Sequence, residues 1–250
     1  MKEYFKQMKK LYGDKACIGL CFIASANVKK TGCLGYPFSK PILYVYGNKG
    51  CGKTEFVKTL TRCDSYYTRG KEPSDTSRYI YNNCLIQGPK YIHIEDVNNN
   101  SFAYTLSNGY GGAGSYLIAS GRYDISEDIV LFSKSIVIDL SREEAFSPQE
   151  KEDFNILKFI KDHTNDFFHY NFNFENGEHI RNLLKAHSVL EKTIGDIEGR
   201  IRNNYLLLLT AYYDFSPIFP YSEEETIEIL TNNARRQNNY LNKKNARHAQ

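Results

Sequence analysis

The chain of 250 residues is 41% hydrophobic and 24% charged, a composition that predicts a globular core and excludes disorder along its whole length. Its formal net charge of +3 is too small to indicate nucleic-acid binding by itself. The six cysteines form no C-x-x-C pair and have no histidines beside them at zinc spacing, which argues against a zinc site. If these cysteines are reduced thiols, they favour a cytoplasmic location.

The first predicted element is a helix over roughly 3–25. Apolar residues recur near helical spacing at Phe5, Met8 and Leu11, and an apolar run at 16–26 follows them. That run resembles the core of a signal peptide, but it is shorter than the roughly 18 residues of a membrane span, and acidic residues precede it. We therefore expect a buried helix that carries Cys17 and Cys21 as small apolar residues, and no membrane association.

Four short apolar segments predict the strands of an α/β domain with a mostly parallel sheet. Helices or loops separate them, and the segment 74–86 is a weaker helix candidate. The predicted strands are PILYVYG at 41–47, KYIHIED at 90–96, SYLIASG at 115–121 and KSIVIDL at 134–140.

The chain becomes helical after these strands. One helix is predicted to begin with Ser147 as its N-cap, Pro148 in the first position and Glu150 three residues after the cap. A last helix is predicted to start at a capping box formed by Ser222 and Glu225. The predicted divisions are an N-terminal helix and loop at 1–40 that pack on the core, an α/β core at 41–146 and a helical region at 147–250.

The segment YVYGNKGCGKTEF at 44–56 fits the pattern G-x-x-x-x-G-K-[ST] of a phosphate-binding loop. It follows a predicted strand and opens a helix at about Lys53, the context that distinguishes a true loop from a chance match. Backbone N–H groups of such a loop cradle phosphates, the lysine binds the β- and γ-phosphates, and the hydroxyl of Thr54 is a ligand for Mg²⁺. The predicted nucleotide-binding residues are Gly47, Asn48, Lys49, Gly50, Cys51, Gly52, Lys53, Thr54 and Glu55.

A phosphate loop needs an acidic partner at the end of a neighbouring strand, and Glu95 and Asp96 end the second predicted strand. We predict that they hold magnesium with Thr54 and orient water, against the simpler interpretation that they are surface residues. Ser120 and Arg122 end the next strand, near the same edge of the sheet. Ser120 is a candidate for orienting the attacking water or sensing the γ-phosphate, with a plain polar strand end as the alternative.

The order of the phosphate loop, YIHIED, LIASGRYD and LFSKSIVIDL resembles the helicase-like ATPases of superfamily 3 and related AAA+ type domains. A closer resemblance is to the ATPase domains of primase–helicase proteins from phages and mobile elements of Bacteroidetes-type bacteria. The resemblance implies a P-loop NTPase fold and ATP hydrolysis with Mg²⁺ between the subunits of a homo-oligomeric ring. It also implies movement on single-stranded or duplex DNA, a primase or another replication protein as partner, and the cytoplasm of a bacterial or phage-infected cell.

Three features depart from the pattern of that family. The family has Asp and then Glu after its second strand, whereas this chain has Glu95 and then Asp96. An arginine finger follows LFS in the family, and here that position is Lys134, which lacks the planar fork of arginine. The segment 97–115, where a basic DNA-contacting hairpin is expected, contains no lysine or arginine.

The candidate catalytic residues are Lys53, Glu95, Asp96, Ser120 and Lys134. Two other functions stay open at this point. One is a diverged module that binds nucleotide, hydrolyses it slowly and regulates a partner. The other is a P-loop kinase, although the segment 62–78 has few of the arginines that a kinase lid requires.

Overall fold

The structure, a computed structural model, describes residues 2–27, 40–61, 66–69, 91–97, 116–141, 146–163 and 176–248. The chain forms two compact units. The helical unit comprises Met1–Gly35, Glu143–Ile197 and Tyr205–Arg235, and the sheet unit comprises Tyr36–Arg142, Glu198–Asn204 and Arg236–Gln250. These units differ from the predicted divisions, because the N-terminal helices group with later helices and two later segments group with the sheet.

Five strands, eight α-helices and two short 3-10 helices, at Ile125–Glu127 and Ser216–Ile218, make up the regular structure of the described residues. The strands are β1 (Ile42–Tyr46), β2 (Tyr66–Arg69), β3 (Tyr91–Val97), β4 (Tyr116–Gly121) and β5 (Ser135–Asp139). The helices are α1 (Lys2–Tyr12), α2 (Asp14–Asn27), α3 (Lys53–Thr61), α4 (Ile129–Lys134), α5 (Pro148–His163), α6 (Asn176–Ile194), α7 (Gly199–Phe215) and α8 (Glu223–His248).

The sheet has the strand order β2-β3-β4-β1-β5, and every described strand pair is parallel. The prediction of an α/β fold with a parallel sheet is therefore confirmed. Strands β1 and β4 are almost entirely buried, as expected for central strands covered on both faces. Edge strand β2 was not among the predicted strands, and the predicted helix at 74–86 lies outside the described residues.

The single helix predicted over 3–25 is wrong in one respect, since Gly13 divides it into α1 and α2. Gly13 has a φ of 51°, the left-handed conformation that ends many helices and that glycine adopts without steric cost. Its N–H donates to the carbonyl of Lys9 over 2.8 Å, and its own carbonyl accepts the hydroxyl of Tyr221 at 2.7 Å. Hydrophobic periodicity continues across this break, so the apolar pattern does not reveal it.

Side chains of α1 join it to α5 within the helical unit. Gln7 Nε2 donates to the carbonyl of Asp153 over 3.0 Å, and Lys10 Nζ lies 2.6 Å from the Asp153 carboxylate.

On α2, Cys17 and Cys21 are fully buried, as predicted. Burial, with a smaller contribution from Cys17, raises the pKa of the Cys21 thiol well above its ordinary value. Along the described part of the chain, no helix has the length and apolar character needed to cross a bilayer.

Both predicted capping boxes are confirmed. The backbone N–H of Glu150 donates to Ser147 Oγ over 3.2 Å, and the Glu150 carboxylate accepts the Ser147 N–H at 2.8 Å. Ser222 and Glu225 make the same reciprocal pair at 3.2 and 3.3 Å. Each pair satisfies two backbone donors that would otherwise lack partners at a helix start, which explains where α5 and α8 begin.

Candidate functional site

The loop at 47–52 leaves the sheet at the carboxyl end of β1. Tyr46 is in register with Gly121 of β4 and with Asp139 of β5, so the chain leaves all three strands at one edge. Backbone bonds hold the loop there, since the Gly47 N–H donates to the Gly121 carbonyl over 3.2 Å and the Leu140 N–H donates to the Tyr46 carbonyl over 2.8 Å. Ligands of open parallel sheets bind at this edge.

Glycine is required where the loop is most compact. A Cβ on Gly47 would lie 2.6 Å from Cys51 Sγ and 3.2 Å from the backbone of Leu140, both too close for an ordinary contact. Gly52 has a φ of 87°, which disfavours any residue with a side chain. The pattern that predicted a phosphate cradle thus coincides with a loop that requires glycine at positions 47 and 52.

Lys53 is the first residue of α3, and its side chain folds back over the loop. Its ammonium group donates to the carbonyls of Gly47 and Asn48, each over 2.8 Å. Helix α3 starts directly behind the loop, because the Phe56 N–H donates to the Gly52 carbonyl at 2.9 Å. The loop therefore has a cationic group at its mouth and a helix N-terminus at its base, two features that attract phosphate.

Thr54 and Glu95 are brought together from different elements. The Thr54 hydroxyl, in the first turn of α3, donates to a carboxylate oxygen of Glu95 on β3. Glu95 is only 9% exposed. A hydroxyl and a carboxylate beside a phosphate loop are oxygen ligands of the kind Mg²⁺ prefers, so these residues fit the predicted metal position.

The pairing of β3 with β4 changes register at the two carboxylates. Ile94 pairs with Ala119 and Val97 pairs with Gly121, so Glu95 and Asp96 together oppose a single residue of β4. Irregularities of this kind re-aim strand residues and are common beside active sites. The Asp96 side chain falls outside what the structure describes, so its predicted role stays a prediction.

Ser120 is fully buried in β4 and forms a 2.8 Å hydrogen bond with Nε2 of His93, which is also fully buried. Burial, reinforced by the charge of Lys58, lowers the pKa of His93 to about 4, so this imidazole is neutral near pH 7. Sequence reasoning did not single out His93. The signal was present, because a histidine stands two residues before Glu95 in a strand otherwise built from β-formers.

Two further predicted residues have well-defined places. Arg122 is exposed directly after β4, and its N–H donates to the Val97 carbonyl over 3.1 Å, beside the end of β3. Glu55 is exposed in the first turn of α3 and lies 3.8 Å from Lys58. Arg122 therefore belongs to the loop edge of the sheet, whereas the described contacts of the Glu55 carboxylate are with its own helix.

Lys134 lies beside the amino end of β5, at the opposite end of the parallel strands from the phosphate loop. It ends α4, and the next residue, Ser135, is in register with Ile42 at the start of β1. Asp139, at the loop edge, is five positions along the chain from Lys134, which is about 16 Å along a strand. A lysine side chain cannot span that distance, so Lys134 does not join the loop of its own chain.

Buried amides fix the backbone around Lys134. Asn204 Nδ2 donates to the carbonyls of Ser133 and Ser135 at 3.1 and 3.3 Å. Gln237 Nε2 donates to the carbonyls of Phe132 and Ser135 at 2.6 and 2.8 Å. These buried amides therefore fix the backbone on both sides of Lys134, at the end of α4 and at the first residue of β5.

Among the residues that the structure describes, no three His, Cys, Asp or Glu side chains converge as a metal site. Magnesium in nucleotide sites typically uses one or two carboxylates together with substrate phosphates, so the pair of Thr54 and Glu95 is the set to compare with the predicted magnesium site.

A scan of the chain against protein-family models finds no matching family, and a search among curated proteins finds no match.

Proposed function

We propose that the chain is a P-loop ATPase of the helicase-like, superfamily 3 or AAA+ type, which binds and hydrolyses ATP in DNA replication. The observation that carries this proposal is the contact between the Thr54 hydroxyl and the Glu95 carboxylate beside the loop that Lys53 covers. A chance match to the loop pattern gives no reason for a buried carboxylate from a non-neighbouring strand to meet its threonine.

Each residue of the site has a role in this proposal. The N–H groups of the loop and of the α3 N-terminus bind the phosphates of ATP, and Lys53 leaves its two carbonyl partners to bind the β- and γ-phosphates. Thr54 and Glu95 would hold Mg²⁺, which when bound neutralises charge on the phosphates. Asp96 polarises the attacking water. Ser120, through its hydrogen bond with His93, holds strand β4 against strand β3 beside this site.

Lys134 requires a second subunit in this proposal. Because it lies at the edge of the sheet away from its own loop, the phosphate that it stabilises belongs to a neighbouring chain. That arrangement suits a ring in which each nucleotide lies at an interface, as the resemblance to ring helicases implies. A cationic finger from a neighbour stabilises the charge on the transferring phosphoryl group.

The test compares the wild-type chain with Lys53→Ala. We expect the wild type to bind a fluorescent ATP analogue and to hydrolyse ATP with Mg²⁺, and Lys53→Ala to lose both while retaining its circular dichroism spectrum. Lys58→Ala, on the exposed face of the same helix, is the matched control and should bind ATP normally. Unchanged ATP binding by Lys53→Ala would contradict the proposal.

A second candidate is a nucleotide-binding module that hydrolyses ATP slowly and regulates a partner. The position of Lys134 favours it for an isolated chain, since such a chain lacks this cation at its own loop. ATP turnover measured across a range of protein concentrations, with and without single-stranded DNA, separates the two. ATP turnover that rises with protein concentration and with DNA supports the helicase-like ATPase. Tight ATP binding with slow turnover that does not change with concentration supports the nucleotide-binding module.

A further inference from the structure

The C-terminal half of α8 carries a marked excess of positive charge. The helix begins with Glu223, Glu224 and Glu225 and contains no acidic residue after Glu228. Five basic residues follow over the remaining turns: Arg235, Arg236, Lys243, Lys244 and Arg247. Cations that merely complement the helix dipole are confined to the last turn, and these cover more than three turns.

Part of this charge forms one exposed stripe. Arg236, Asn239, Tyr240 and Lys243 follow the i, i+3, i+4, i+7 spacing of a single helix face, and all four are exposed. The Arg236 side chain is 75% exposed and Tyr240 is 40% exposed. We call these four residues the α8 stripe. It extends over eight residues, from Arg236 to Lys243, roughly 10 Å of helix.

The opposite face of the helix holds the stripe in place. Gln237 donates to two carbonyls near the end of α4, and Asn238 Oδ1 accepts the Glu198 N–H at 3.0 Å. Leu241 is buried on the same side. The ring of Tyr240 packs against Phe132, with centroids 5.6 Å apart. The stripe is thus presented on a rigid backbone, so binding to it requires little ordering of the chain.

We propose that the α8 stripe binds single-stranded DNA, with Arg236 and Lys243 contacting phosphates and Tyr240 stacking on a base between them. This inference rests on the proposed function in taking DNA as the nucleic acid. Basic residues that flank an exposed aromatic ring match the alternation of phosphate and base along a single strand. A duplex hides its bases from such a ring, and a membrane requires an apolar face, which α8 buries.

The stripe also answers a difficulty raised by the sequence. The segment 97–115, where a DNA-contacting hairpin is expected, has no lysine or arginine, so it offers no cationic side chain to phosphates. Among the described residues, an acidic group lies beside the stripe, since the Asp139 carboxylate is 3.6 Å from Arg236. Arg236 is largely exposed, and an exposed ion pair of this kind is weak enough for a phosphate to replace it.

The experiment measures fluorescence anisotropy of a labelled oligodeoxythymidine without nucleotide, so that DNA binding is scored independently of ATP. Lys243→Glu should weaken binding at least tenfold and reduce the slope of log affinity against log salt by about 0.7 or more. Lys192→Glu, the same charge change at an exposed position of α6, should leave binding within about twofold. Equal losses in the two variants would overturn the proposal.

Tyr240 tests the stacking contact separately. Tyr240→Ala should weaken binding roughly five- to a hundredfold, and Tyr240→Phe, which keeps the ring and its contact with Phe132, should retain most of it. If Tyr240→Ala destabilises the helix, Lys243→Glu and Tyr240→Phe still decide the question. Full binding by Tyr240→Ala, or loss in Tyr240→Phe equal to that in Tyr240→Ala, would overturn the stacking role.

Competition identifies the occupant and separates this inference from the proposed function. Displacement by unlabelled single-stranded DNA, but not by duplex, single-stranded RNA, anionic vesicles or a polyglutamate peptide, supports it; better displacement by any of these overturns it. If the wild type binds ATP but not the oligonucleotide, the DNA-binding inference is wrong and the ATPase proposal is unaffected. If it binds the oligonucleotide but not ATP, the ATPase proposal is wrong and DNA binding by the α8 stripe is supported.

Discussion

The hydroxyl of Thr54 donates to the carboxylate of Glu95, which joins the first turn of α3 to the end of β3. The two residues are 41 positions apart, and β4 lies between the strands that lead to them. This contact gives the proposed magnesium position a definite pair of ligands. Under the proposed function, it favours Glu95, the first of the two carboxylates, over Asp96 as the metal ligand.

Glu95→Gln and Asp96→Asn should separate the two carboxylates. Glu95→Gln keeps an oxygen for the Thr54 hydroxyl but removes the charge, so Mg²⁺-dependent ATP affinity should fall roughly tenfold or more. Asp96→Asn should bind ATP and Mg²⁺ normally and lose hydrolysis, because it removes the base that polarises water. Isothermal titration with and without Mg²⁺, and phosphate release, measure these effects. Normal hydrolysis by Asp96→Asn would show that Asp96 does not orient water.

Lys134→Ala should lower the ATPase rate by roughly two orders of magnitude or more and leave ATP affinity almost unchanged, because the lysine acts on charge that develops during transfer. Lys134→Arg should preserve or raise the rate, since the guanidinium fork can bond two phosphate oxygens. Steady-state kinetics measure both variants.

Mixing Lys134→Ala with Lys53→Ala subunits tests whether Lys134 acts across an interface. Each variant alone has little activity, but a mixed ring contains some interfaces with an intact loop facing an intact Lys134. We expect activity to recover on mixing. Full activity of a monomer, independent of protein concentration, would contradict a role for Lys134 in a neighbour's site.

His93 should make the chain less stable in mild acid. Its folded pKa of about 4 is below the ordinary value of 6.5, so between these values the unfolded chain binds the proton and the folded chain does not. Stability from this source is fully present above pH 6.5 and is lost as pH falls towards 4, by on the order of 3 kcal/mol. Urea midpoints across this range measure it. His93→Gln should show a flatter pH dependence, and an unchanged slope would refute the assignment.

Gly121→Ala should be strongly destabilising. A Cβ at this position would lie 1.9 Å from the carbonyl oxygen of Val97, so β3 and β4 would have to move apart. Overpacking of this kind typically costs about 1–3 kcal/mol or more, measurable as a lower urea midpoint. Gly177→Ala in α6 is the matched control, because its Cβ would meet only the Arg181 guanidinium at 3.7 Å. It should be neutral or slightly stabilising.

Much of the secondary structure of both units could be predicted from local sequence. Four of the five strands, the start of α3 at Lys53 and the capping boxes at Ser147 and Ser222 follow from short-range rules on β-forming runs, glycine loops and N-caps. Edge strand β2 could not, because four residues are too few to show a distinct strand pattern in the sequence.

The site was predictable in part for a similar reason. The loop is a local motif, and Glu95 could be expected near it because parallel strands end at a common edge. The bond between Ser120 and His93, the distance of Lys134 from its own loop and the membership of the two units depend on strand order and helix packing. These are long-range properties that spacing along the chain does not encode.

Strand β4 contributes no group to the proposed metal position, yet it sets the width of the site. Gly47 is bonded to Gly121, whose backbone abuts Val97; Val97 continues back to Glu95, and Glu95 returns through Thr54 to the loop. These contacts form a closed circuit around the space that the phosphates would occupy. A displacement of any one of these residues must be matched by movement of the others. The phosphate loop and the Glu95 carboxylate can therefore move apart only if α3 and β4 move as well.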